Sequence, residues 1–126
     1  MSLPPDEAVI EAALEGHRAR NEALVARLRE SHVPLDQPRV IDLHFFAPSQ
    51  PAAHAIAAAL RSHGLPEPAV SPADSDGIVS IEVAVVLPVS AVVARSFIEP
   101  LVRIAAASGG EHDGWGTSIE ESKGAV

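Results

Sequence analysis

Apolar and polar residues alternate strictly over two stretches of this chain. In residues 39–47, Ile41, Leu43, Phe45 and Ala47 fall on one side, with Val40, Asp42, His44 and Phe46 on the other. That spacing predicts a strand with one core face and one mixed face. Residues 78–87 give the strongest strand signal, Val79, Ile81, Val83, Val85 and Leu87 alternating with Ser80, Glu82 and Ala84. Three other stretches carry helical spacing. Residues 5–30 place Asp6, Glu7 and Glu11 early and Arg27 and Arg29 late, as the helix dipole favours. The apolar stripe of this helix (Ile10, Leu14, Leu24, Val25, Leu28) is interrupted by His17 and Asn21. Residues 1–31 are therefore expected to form an appended helix, tied by a linker at 32–38 where Pro34 and Pro38 break the chain. Ser49 can cap a second helix with Pro51 in its first turn and Gly64 at its end, lined by Ala53, Ile56, Ala57 and Leu60. A third is expected from Ser90 to Ser108 through Val93, Phe97, Leu101 and Ile104, kinked at Pro100. A short strand at 69–71 sits among Pro66, Pro68 and Pro72, which suggests a sheet edge. The final strand follows Gly109 and Gly110.

The order is one helix and then β-α-β-β-α-β. Right-handed crossovers leave one favoured arrangement, an α+β ferredoxin-like antiparallel sheet with the last strand beside the first and both crossover helices on one face. Residues 39–121 are expected to form this domain, and 122–126 a flexible tail.

Composition narrows the chemistry. The chain has 126 residues, no cysteine and a formal net charge of −8 from 17 acids and 9 bases. A disulfide framework and thiolate metal sites are thereby excluded. Direct nucleic-acid binding, which needs clustered Lys and Arg, is disfavoured, whereas a basic protein partner is compatible with the acidic charge. No apolar run approaches the ~18–20 residues of a membrane span, and no secretory signal is visible at the N-terminus, so a soluble cytoplasmic domain is expected. No phosphate-binding glycine loop, Gly-x-Ser-x-Gly or His-Glu-x-x-His occurs, so no cofactor and no catalytic residue are assigned and the chain is not expected to be an enzyme.

Three stretches carry a resemblance. His112-Asp-Gly-Trp-Gly-Thr117 resembles the closing Tyr-Asp-Gly-Trp-Gly-Thr of the RraB family, regulators of ribonuclease E activity, with histidine in place of tyrosine. Asp42-Leu-His-Phe-Phe-Ala-Pro-Ser49 resembles that family's first strand and helix start, and the N-terminal helix with its Pro/Asp linker matches in order. The resemblance implies a ferredoxin-like domain and, as for the family's studied members, a protein that binds the endonuclease ribonuclease E and inhibits RNA cleavage. Studied members also carry a long acidic C-terminal tail, where this sequence reads Lys123-Gly-Ala-Val126.

Strand parity then proposes a surface. Glu111, Asp113, Trp115 and Thr117 share one parity, and two acids do not suit a helix-covered core. These four are expected on the open sheet face beside Asp42, His44, Phe46 and Glu82, a set with aromatic anchors suited to binding a protein. A bulge between Asp113 and Trp115 would instead send the indole inward. One histidine among carboxylates on that face also raises a metal site, against which stands the lack of paired ligands at fixed spacing. The alternative function is a small-molecule or metal-binding ferredoxin-like module using the same face, with a homodimer as its assembly.

Overall fold

The computed structural model describes residues 7–117. Its elements run α1 (Glu7–Glu30), β1 (Arg39–Ala47), α2 (Gln50–Ser62), β2 (Ala69–Val70), β3 (Val79–Leu87), α3 (Val89–Val92), α4 (Arg95–Ala107) and β4 (Glu111–Gly116). The expected helix start at Pro5, the expected domain end at 121 and the 122–126 tail lie outside the described residues.

The four strands form one antiparallel sheet in the order β2-β3-β1-β4, the ferredoxin-like arrangement that the element order predicts. β1 and β3 pair without interruption from Arg39↔Leu87 to Ala47↔Val79. Directly opposed residues share a face, so Ile41, Leu43, Phe45 and Ala47 lie level with Val79, Ile81, Val83 and Val85, all buried. α2 covers this face with Ala53, Ile56, Ala57 and Leu60, and Leu101 and Ala105 of α4 complete the layer. Ser49 caps α2 as expected, its hydroxyl accepting from the Ala52 N–H at 3.3 Å. β2 occupies the far edge, as its flanking prolines indicate.

Two expectations are corrected. The single helix from Ser90 is two, α3 and α4, separated at Val93 and Ala94. α3 buries Val89 and Val92, and that phase carried forward at 3.6 residues per turn would bury Ser96, Pro100 and Arg103. The break resets the phase, so that α4 buries Ile98, Leu101, Val102 and Ala105 instead. Pro100 sits inside α4, and the interruption of the helix falls before it.

α1, expected as an appendage, packs into the domain. Its buried residues are Ile10, Leu14, His17, Asn21 and Leu28, so the two polar residues that break the sequence stripe belong to the buried face. Ile10 and Leu14 meet Ile98 and Val102 of α4 in a second small core. Exposed ion pairs clasp the same two helices, Arg95 to Glu11 at 2.6 Å and Arg103 to Glu7 at 2.8 Å. At the other end Leu28 joins the main core with Val33. The Val33 N–H reaches back to the Leu28 carbonyl at 2.9 Å, closing the helix through His32, whose φ is +60°. Residues 32–38 are thus anchored at Val33 and at Leu35, whose carbonyl accepts from the Ser90 N–H at 3.1 Å.

Candidate functional site: the open sheet face and the β4 edge

The helices cover one side of the sheet, and the opposite side carries the residues of the other parity. On β1 these are Val40, Asp42, His44 and Phe46, opposed on β3 by Val86, Ala84, Glu82 and Ser80 respectively. Val40 and Val86, a cross-strand pair, are 43% and 66% exposed, so the face joins an apolar end to a polar middle. There His44 Nδ1 lies 3.3 Å from Glu82 Oε1, the histidine half-buried and the carboxylate exposed. Such a pair contributes little to stability. β4 adds Glu111 opposite Phe46, and then glycine at both remaining positions, Gly114 opposite His44 and Gly116 opposite Asp42. At these two positions β4 opposes His44 and Asp42 with no side chain.

Those glycines reach the open face because β4 carries a bulge. The register against β1 shifts between His44 and Phe45: His112 faces Phe45 and Gly114 faces His44, leaving Asp113 as the extra residue. Gly114 holds φ at +139°, a conformation open to glycine and strained for any residue with a Cβ. Beyond the bulge the parity inverts. Trp115 therefore lies opposite Leu43 on the helix-covered side and is 9% exposed, correcting its expected place on the binding face. Its indole N–H donates to Asn21 Oδ1 of α1 at 2.9 Å, which gives the buried ring nitrogen the acceptor it needs.

Thr117 also leaves the expected surface. Its hydroxyl accepts from Arg39 Nε and donates to the Val40 carbonyl, each at 2.8 Å, fastening the end of β4 to the start of β1. Asp113 stays exposed on the bulge, beside a cleft that it lines with His44, Gly114, Trp115 and the α1 residues His17, Arg20 and Asn21. Of the eight residues expected to form a binding surface, Asp42, His44, Phe46, Glu82 and Glu111 are brought together, Asp113 sits at the edge, and Trp115 and Thr117 serve the fold. Val86 and Ala84 belong to the same face and were not singled out; β3 alternation alone placed them there.

A second polar constellation lies on the covered side, beneath α1. The His112 ring stacks on Phe45 (centroids 4.6 Å apart, planes 28° off parallel) and on His17 (4.8 Å, 22°). His112 is 4% exposed, and burial pushes its pKa down to about 4 despite a raising contribution from its bond to the His44 carbonyl. Burial likewise lowers His17, with the Arg20 guanidinium acting in the same direction. Both rings are neutral at pH 7. Among the described residues no three His, Asp or Glu side chains gather as a metal-binding group, and no helix is long and apolar enough to cross a membrane.

Residues 18–117 match the family RraB, described as regulator of ribonuclease activity B. The match covers most of the chain, including both faces of the sheet, and the chain belongs to this family. Among curated proteins no match is found.

Proposed function

From membership in a family of ribonuclease regulators, we propose that this protein acts by binding a ribonuclease of the ribonuclease E type through its open sheet face and restraining RNA cleavage, with no catalysis of its own. One observation carries the reading: a continuous face across β3, β1 and β4 bears no helix, and it combines exposed Val40, Val86 and Ala84 with half-buried Phe46 and the acids Asp42, Glu82 and Glu111. Exposed apolar side chains set beside charged ones on one continuous face provide the two kinds of contact a protein interface combines. The glycines of β4 keep the border low, so that a partner backbone can approach His44 and Asp42. With a net charge of −8, the chain favours a basic partner segment by electrostatic steering.

The test is association with purified ribonuclease E-type enzyme, measured by calorimetry beside an RNA-cleavage assay. Val86→Arg and Phe46→Ala should each weaken association about tenfold or more, as truncated or blocked anchors do. Unfolding midpoints should move little. Association should also weaken as salt rises, because exposed charge complementarity is screened. Wild-type affinity in both variants would remove the open face as the contact surface, and unchanged RNA cleavage with saturating protein would remove the inhibitory role.

A further inference from the structure

We infer that the stacked imidazoles of His17 and His112 form an acid-sensitive latch, which clamps α1 onto β4 while both rings are neutral and releases the helix when they take up protons. The inference is independent of the open face and of the identity of any partner.

Hydrogen-bond geometry fixes where each proton sits. His112 Nδ1 is 3.0 Å from the His44 carbonyl oxygen, an atom that only accepts, so Nδ1 carries the hydrogen. A second proton must go on Nε2, in a ring sandwiched between Phe45 and His17. In His17 the assignment is reversed. Arg20 Nη2, which only donates, lies 3.4 Å from Nδ1, so Nδ1 holds the lone pair and the hydrogen of the neutral ring sits on the other nitrogen. A second proton on His17 would therefore point its N–H at a guanidinium. Two cationic rings would also stand 4.8 Å apart, which is repulsive in a site removed from water.

The surrounding groups do not offset this. From α1 come His17 and Arg20, from β1 the His44 carbonyl and, further off, its ring, and from α4 only Val102 and Ala106 line the cleft here. The anions in reach are Glu111 and Asp113 of β4, both exposed, which favour the charged form of His17 less than burial and Arg20 oppose it. When α1 lifts away, both imidazoles meet water.

The sign follows from linkage. Both histidines are depressed in the folded state, so their contribution to docking is complete above about pH 6.5 and is lost as the pH falls from there toward about 4, the folded value for His112. The Arg103 guanidinium keeps the Glu7 carboxyl of α1 below its ordinary range, so acid opposes this pair less than it would a free carboxylate.

Native-state hydrogen exchange on the whole chain at pH 7.0, 5.5 and 4.5 tests the latch. The opening equilibrium of α1 amides should rise as the pH falls below 6.5, by up to roughly tenfold per pH unit through His112 with His17 acting in the same direction, while amides of β1 and β3 keep their protection. His112→Phe combined with His17→Phe keeps the ring stack and should abolish the α1-specific rise. Should that variant not fold, NMR titration of the wild-type rings decides: His112 must remain neutral to below pH 5. A ring titrating near 6.5, an α1 opening that is flat with pH, one that rises in step with the β1–β3 amides, or a rise that persists in the double variant would each overturn the inference.

Discussion

The two ladders that flank β1 make an instructive pair. On one side β3 follows β1 for nine consecutive residue pairs, and every side chain falls where alternation puts it. On the other, β4 keeps register for two pairs, inserts Asp113, and resumes with the opposite parity. The first ladder separates a core face from an open face. The second crosses the layers, sending His112 and Trp115 to the helix side and leaving glycines above His44 and Asp42. A β-branched strand has one low-energy way to satisfy a buried face, whereas a strand with a glycine free to take positive φ has two. The β4 side thereby acquires a dependence on α1 that the β3 side lacks.

The sharpest way to break this contrast is to remove α1. Truncation of residues 1–31 would bare His112, Trp115, Ile98 and Val102, and should lower the thermal midpoint more than any single substitution while β1 and β3 keep their amide protection; an unchanged midpoint in the truncated protein would show that the β4 side is self-sufficient. Next in size, Trp115→Ala should cost about 3–5 kcal/mol in denaturant unfolding, as buried aromatic truncations do. Phe46→Ala, on the open side of the neighbouring strand, should cost under about 1 kcal/mol. Equal costs would mean that the inversion at the bulge is wrong. The glycines give the finest test. A Cβ at Gly114 meets nothing within 4 Å but must adopt a φ of +139°, while one at Gly116 has ordinary φ and meets only His44 Nε2 at 3.7 Å. Gly114→Ala should therefore cost about 1–3 kcal/mol from backbone strain, and Gly116→Ala under about 0.5 kcal/mol.

Much of this was legible in the residues. The periods of β1, α2 and β3, the cap at Ser49 and the prolines around β2 defined the elements, and the handedness of crossovers ordered the sheet. The Asp-Gly-Trp-Gly stretch pointed to the family. What escaped shares a physical cause. His17 and Asn21 read as defects in a helical stripe because their partners, His112 and Trp115, lie more than ninety residues away and are polar too. The α3–α4 break carries no glycine or proline at Val93 and Ala94; only the change of helical phase marks it, and Pro100 drew attention to the wrong place. For β4, alternation was the right rule applied across the one residue where it fails. Asp42 and Glu82 fall on the open face where alternation puts them because β1 and β3 pair without interruption, and Glu111 does so because it precedes the bulge.

The bond between Asn21 and Trp115 also has a meaning in time. Its ends are 94 residues apart, and synthesis at roughly 5–20 residues per second puts roughly 5–20 s between their appearances. For most of that interval, until α4 emerges, β1, α2 and β3 can find one another by nearer pairings, whereas α1 has neither α4 nor β4 to rest on. Ribosome-bound chains arrested with Ala94 as the last residue outside the exit tunnel, before α4 emerges, should leave α1 amides unprotected, and protection there would refute this order. The first helix to emerge is then the last to dock, and the assembly of the domain closes at its two sequence extremes.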